Sequence, residues 1–138
     1  IIELDEKENN LRKILNFGHT FAHAYEATLG YSNKLNHGEA VILGILSASK
    51  FSFKNKLLSK SEFESIESHI NKLGLPNKIS KFFSVKKINR IIYFMQRDKK
   101  NNSNRINLVL LHKIGKPSFN LNFNTKKIST FIKKELIN

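Results

Sequence analysis

Apolar positions recur along the chain at helical spacing over most of its length. Between about Asn10 and Leu29 they cover most of a helix's circumference, through Leu11, Ile14, Leu15, Phe17, Phe21, Ala22, Ala24, Tyr25 and Leu29, and Gly30 is placed to end that helix. Gly30 to Asn36 reads as a loop. A second helix opens at His37-Gly38-Glu39 and runs to about Lys54, with residues 40–46 apolar on every face, as in a helix at the centre of a core. Ser61 followed three residues later by Glu64 is a capping-box pattern, with Phe63, Ile66, Ile70 and Leu73 behind it at helical spacing and Leu73-Gly74-Leu75-Pro76 as the stop. A fourth helix, about Val85 to Gln96, would bury Val85, Ile88, Ile91, Ile92 and Met95.

The period then changes. Ile106 to Leu111 is aliphatic enough for a strand, and Phe119, Leu121 and Phe123 alternate with polar residues, so a hairpin turning around Gly115-Lys116-Pro117 is expected. A last helix over about Lys126 to Leu136 carries Ile128, Phe131, Ile132 and Leu136. The predicted fold is mainly α with one small two-stranded element, a single domain over residues 1–138.

Composition narrows the chemistry. With no cysteine among 138 residues, disulfides, thiolate metal sites and cysteine nucleophiles are excluded, so any metal must be held by His and carboxylates. The longest apolar run, Ala40 to Leu46, is too short for a membrane span, and no secretory leader pattern opens the chain, which makes a cytoplasmic setting without membrane contact the expectation. Because the first residue is Ile, a processed product, an excised domain or part of a longer chain is expected. The net charge of +13 raises nucleic acid as a partner. However, 20 of the 24 basic residues are Lys, and Lys, Asn and Ile supply 53 residues in all. These are the residues of A+T-rich codons, and no aromatic-basic interleaving accompanies them, so no nucleic-acid partner is expected.

One polar stripe carries the candidate chemistry. At about 100° per residue, Arg12, Asn16, His19, His23 and Glu26 fall within about 80° of one another on a helix that is otherwise apolar. Such a stripe is either the helix's one wet face or the lining of a site, and the spacing alone leaves both open. A third histidine, His37, opens the next helix, and the short loop 30–36 would return it towards His19 and His23. His19 and His37 thus become candidate ligands of a divalent metal, with Glu8, Glu26 and Glu39 as local candidates for a third. No glycine-rich phosphate loop is present: the six glycines form neither GxGxxG nor a Walker A pattern.

Taken together, Asp5-Glu6-Lys7-Glu8, Leu11-Arg12, Leu15-Asn16-Phe17-Gly18-His19-Thr20-Phe21-Ala22-His23-Ala24, Gly30-Tyr31, His37-Gly38-Glu39-Ala40-Val41 and Asp98-Lys99-Lys100 before Val109-Leu110-Leu111 resemble the C-terminal domain of the 3-dehydroquinate synthase family. The resemblance covers residues 1 to about 115. It implies conversion of 3-deoxy-D-arabino-heptulosonate 7-phosphate to 3-dehydroquinate and phosphate, in the shikimate route to chorismate and the aromatic amino acids. It also implies a zinc or cobalt ion, NAD held by an N-terminal half, and a homodimer. By the same resemblance His19 and His37 are metal ligands, and Arg12, Asn16, His23 and one of Lys99 and Lys100, with Lys99 favoured, contact the substrate. His23 and Lys99 take part in the chemistry, and Asp5 and Glu8 lie in the same pattern with less defined roles.

Two departures are local. Ala22 stands where many members have a second glycine, and Asn9-Asn10 replaces a more usual glycine. The larger one is the NAD-binding domain, which together with a glutamate ligand and a further substrate lysine falls upstream of Ile1, so the chain is expected to be inactive alone. Another sugar-phosphate cyclase is the nearest alternative and a metal-dependent dehydrogenase a more distant one. A non-catalytic remnant or interaction module is the alternative of another class.

Overall fold

The computed structural model describes residues 18–30, 34–97, 105–113 and 116–137. Among the described residues, five α-helices and one hairpin follow in the order α1 (His19–Thr28), α2 (His37–Lys54), α3 (Lys60–Asn71), α4 (Ile88–Arg97), β1 (Arg105–Lys113), β2 (Lys116–Asn124) and α5 (Thr125–Ile137). Short 3-10 turns at Ile79–Lys81 and Val85–Lys87 lie between α3 and α4. The expected mainly helical fold with a two-stranded antiparallel element is the observed one.

α2 occupies the centre and packs against α1, α3 and β1. No residue from Ala40 to Phe53 is fully exposed, as the run of apolar residues on every face requires. Its entry is fixed by a capping box: the Asn36 side chain accepts from the Glu39 amide at 2.8 Å, and the Glu39 carboxylate accepts from the Asn36 amide at 3.1 Å. Buried Leu35 anchors the approach to this cap.

α1 meets α2 backbone to backbone. Gly18 and Gly44 lie at the crossing, where neither residue has room for a side chain, and Ala22 packs against Gly44. Ala22 therefore fits because its neighbour across the crossing is glycine. One turn further on, the Tyr25 and Ser47 hydroxyls share a buried hydrogen bond of 2.6 Å. Stripped of water by burial, the Tyr25 phenol titrates well above the ordinary tyrosine range, and the Ser47 hydrogen bond only partly counters this.

A cluster of phenylalanines closes the other side of α2. Phe51 is edge-on to Phe123 at 4.9 Å and to Phe131 at 5.1 Å, with Phe21 of α1 against both Phe51 and Phe131. The hairpin contributes Ile106, Leu108 and Leu110, whose spacing of two puts all three on its buried face. α5 contributes Ile128, Phe131, Ile132 and Leu136, the four residues expected from its periodicity. Lys50 and Glu135 form a half-buried ion pair at 2.8 Å that ties α5 to α2.

Two expectations need correction. α3 is capped by Ser59, whose hydroxyl accepts from the Glu62 amide at 3.2 Å, and not by Ser61. The S-x-x-E pattern occurs twice in register, at Ser59 and at Ser61, and the earlier copy gives the longer helix. Val85 is exposed because it lies in the 3-10 turn before α4, where three residues per turn rotate it off the stripe of Ile91 and Met95. α1 begins at His19 with Gly18 as its N-cap residue, and the expected stretch from Asn10 to Phe17 lies outside the described residues. At the other end Gly30 adopts φ +67°, the left-handed conformation that glycine provides after a helix.

Candidate functional site

α1 is buried on all sides but one. Thr20, Phe21, Ala22, Ala24, Tyr25, Ala27 and Thr28 are buried, whereas His19 and His23 are exposed and Glu26 is half-buried. The polar stripe is thus the wet face of an otherwise enclosed helix. The spacing of four between His19 and His23 stacks their rings, with centroids 5.4 Å apart and planes inclined by 17°.

His37 begins α2 immediately after the Asn36 cap, so the capping box fixes its backbone. Its ring turns to the C-terminal end of the α1 stripe, where Nδ1 lies 3.1 Å from both carboxylate oxygens of Glu26. The loop thus returns His37 to the helix that carries His19 and His23, as expected, and its contact there is Glu26. Glu39, another candidate third ligand, is engaged by the cap of α2.

The structure therefore brings His19 to His23 and His37 to Glu26. Arg12, Asn16, Lys99 and Lys100, together with Asp5 and Glu8, lie outside the described residues. Among the described residues no group of three or more His, Asp or Glu side chains is gathered closely enough to hold a metal. Imidazole nitrogens with carboxylate oxygens and no sulfur nevertheless form a donor set suited to zinc or cobalt, and two exposed imidazoles are part of such a set. The pairing of Glu26 with His37 was not foreseen, although the wheel already put Glu26 at the end of the stripe nearest the returning loop.

Comparison with known proteins places this arrangement. The 3-dehydroquinate synthase C-terminal family matches residues 1–101, which include α1, α2 and the whole polar stripe. The chain is 62% identical over 99% of its length to the 3-dehydroquinate synthase of Pelagibacter ubique, and 40% identical over 99% to that of Clostridium tetani. It spans 37% and 35% of those two proteins, about a third of each. Among solved structures it superposes on 2-deoxy-scyllo-inosose synthase complexed with carbaglucose-6-phosphate, NAD+ and Co2+, with a TM-score of 0.67 at 22% identity, covering 88% of this chain and 34% of that one. The fold is shared with about a third of that structure, the segment matched by the family contains α1 and α2, and the chain belongs to the 3-dehydroquinate synthase C-terminal family.

Proposed function

We propose that this chain is the metal- and substrate-binding part of a 3-dehydroquinate synthase. With an N-terminal NAD-binding half it would convert 3-deoxy-D-arabino-heptulosonate 7-phosphate to 3-dehydroquinate and phosphate. The observation that carries the reading is the single wet face of α1, where His19 and His23 stack and where His37 returns from α2 onto Glu26. Elimination of phosphate from a carboxylate-bearing sugar calls for imidazole and cationic groups, and this face carries the His19–His23 pair and the contact of His37 with Glu26. The 62% identity to a protein of that name, and the Co2+ and NAD+ bound by the inosose synthase, support the choice of reaction and cofactors.

His19 and His37 would hold zinc or cobalt, with the remaining protein ligand supplied from outside the described residues. When bound, the metal supplies Lewis acidity towards the substrate hydroxyls, and NAD supplies a reversible hydride acceptor. The residues of this chain do the binding and proton handling. Arg12 and Lys99 or Lys100 hold the phosphate and carboxylate by charge-assisted hydrogen bonds, and Asn16 adds a neutral donor and acceptor. His23, on the wet face, is placed to take a proton from the substrate or return one. No glycine-rich phosphate loop occurs in the chain, so NAD falls to the N-terminal half.

The test is phosphate release from the heptulosonate phosphate with NAD and zinc, using this chain with and without the N-terminal half of a relative. Activity is expected in the combined sample alone and should be lost in His19→Ala and His37→Ala. No turnover in a folded, associated mixture would instead favour another cyclase or a non-catalytic remnant.

A further inference from the structure

We propose that Glu26 is a positioning residue for His37: its carboxylate accepts a hydrogen bond from Nδ1–H of His37 and thereby presents Nε2 as the metal-ligating lone pair. This rests on the reading of His37 as a ligand given above. Both Glu26 oxygens lie 3.1 Å from Nδ1. The Glu26 side chain is 13% exposed and that of His37 75%, so the carboxylate is the fixed member of the pair and the imidazole the one being steered. An ionised carboxylate only accepts hydrogen bonds, so Nδ1 carries the hydrogen and the lone pair of the neutral ring lies on Nε2, across the ring from Glu26.

Without such a partner an exposed histidine samples several rotamers and both tautomers, and only a fraction of these present a ligand. The backbone at His37 is already set by the Asn36–Glu39 box, which leaves ring rotation and tautomer as the freedoms Glu26 removes. The same contact occupies the face of the carboxylate that would otherwise bind metal. Glu26, a candidate third ligand by spacing, is in this reading an orienting group.

The test uses the full 138-residue chain, labelled with nitrogen-15, with histidine signals assigned from single His→Ala variants. Long-range proton–nitrogen correlation should find His37 in the Nδ1–H tautomer in the metal-free wild type and in a mixture in Glu26→Ala. Zinc affinity, measured by chelator competition, should fall about 10- to 100-fold in Glu26→Ala. A smaller fall is expected in Glu26→Gln, whose amide oxygen still accepts from Nδ1. An Nε2–H tautomer in the wild type, or a tautomer unchanged in Glu26→Ala, would overturn the proposal. So would zinc affinity that drops in His37→Ala but not in Glu26→Ala, which would leave His37 a ligand. Affinity unchanged in His37→Ala would remove the ligand reading and this proposal with it. Glu26→Gln, nearly the same size, guards against loss of folding in Glu26→Ala.

Discussion

Gly44 faces Ala22 across the α1–α2 crossing so closely that a Cβ placed on Gly44 would lie 2.8 Å from both the Cβ and the amide nitrogen of Ala22. On the other side, a Cβ on Gly18 would lie 2.6 Å from the Ile45 amide nitrogen. The obstacles are mainly backbone, which cannot rotate away. Gly44→Ala should therefore destabilise the fold by about 2–4 kcal/mol. Gly38→Ala, one helix end away, meets only the Asn36 Oδ1 at an ordinary 3.5 Å and should be neutral or stabilising by up to about 1 kcal/mol. Urea unfolding of the two variants tests whether the same substitution has opposite signs at the two sites.

Asn36→Ala removes the side-chain half of the capping box and leaves the Glu39 amide without its partner. A loss of about 1 kcal/mol is expected, measured by thermal or urea unfolding. Because His37, the proposed metal ligand, follows the cap directly, the zinc binding proposed for it should weaken in this variant as well, and Asn36→Ser or Asn36→Asp should restore both.

Tyr25 gives a pH dependence whose sign follows from its burial. The folded protein holds the phenolic proton to higher pH than the unfolded chain, which releases it near pH ~10. Stability from this group is fully present below that pH and declines above it, by up to about 1.4 kcal/mol per pH unit while only the unfolded state ionises. Unfolding between pH 8 and 11 should show this slope in the wild type. Tyr25→Phe should lack it, while losing about 1 kcal/mol at neutral pH for the Ser47 hydrogen bond. Lysine titration affects both proteins alike and cancels in the comparison.

Phe51 is the ring on which α1, β2 and α5 converge, through Phe21, Phe123 and Phe131. Phe51→Ala should cost about 3–5 kcal/mol in urea unfolding. Phe51→Leu, which keeps most of the volume, should cost markedly less, since the loss comes mainly from the cavity.

The sequence was most informative where one residue property governed the outcome. α2 runs over His37–Lys54 as expected, its start set by the Asn36 capping box and its central burial by the apolar run from Ala40 to Leu46. α5 buries the four residues its periodicity named. Boundaries were lost where two local signals competed, as at Ser59 and Ser61, or where a 3-10 turn preceded a helix, as at Val85. Of the candidate site, the histidines and the wet face of α1 were legible from spacing. The partner of His37 was not, because spacing says which face a residue occupies and not which of several acids on that face a returning loop will reach.

The position of α5 also has a consequence for the order of events during synthesis. α1 and α2 are made before β2 and α5, yet the Phe51 ring of α2 is covered by Phe123 of β2 and Phe131 of α5. Translation adds about 5–20 residues each second, so the segment from His19 to Arg97 spends several seconds with its aromatic face open before α5 emerges. Until then the polar face of α1 has no finished core behind it, and the metal binding proposed for this face should follow the formation of α5.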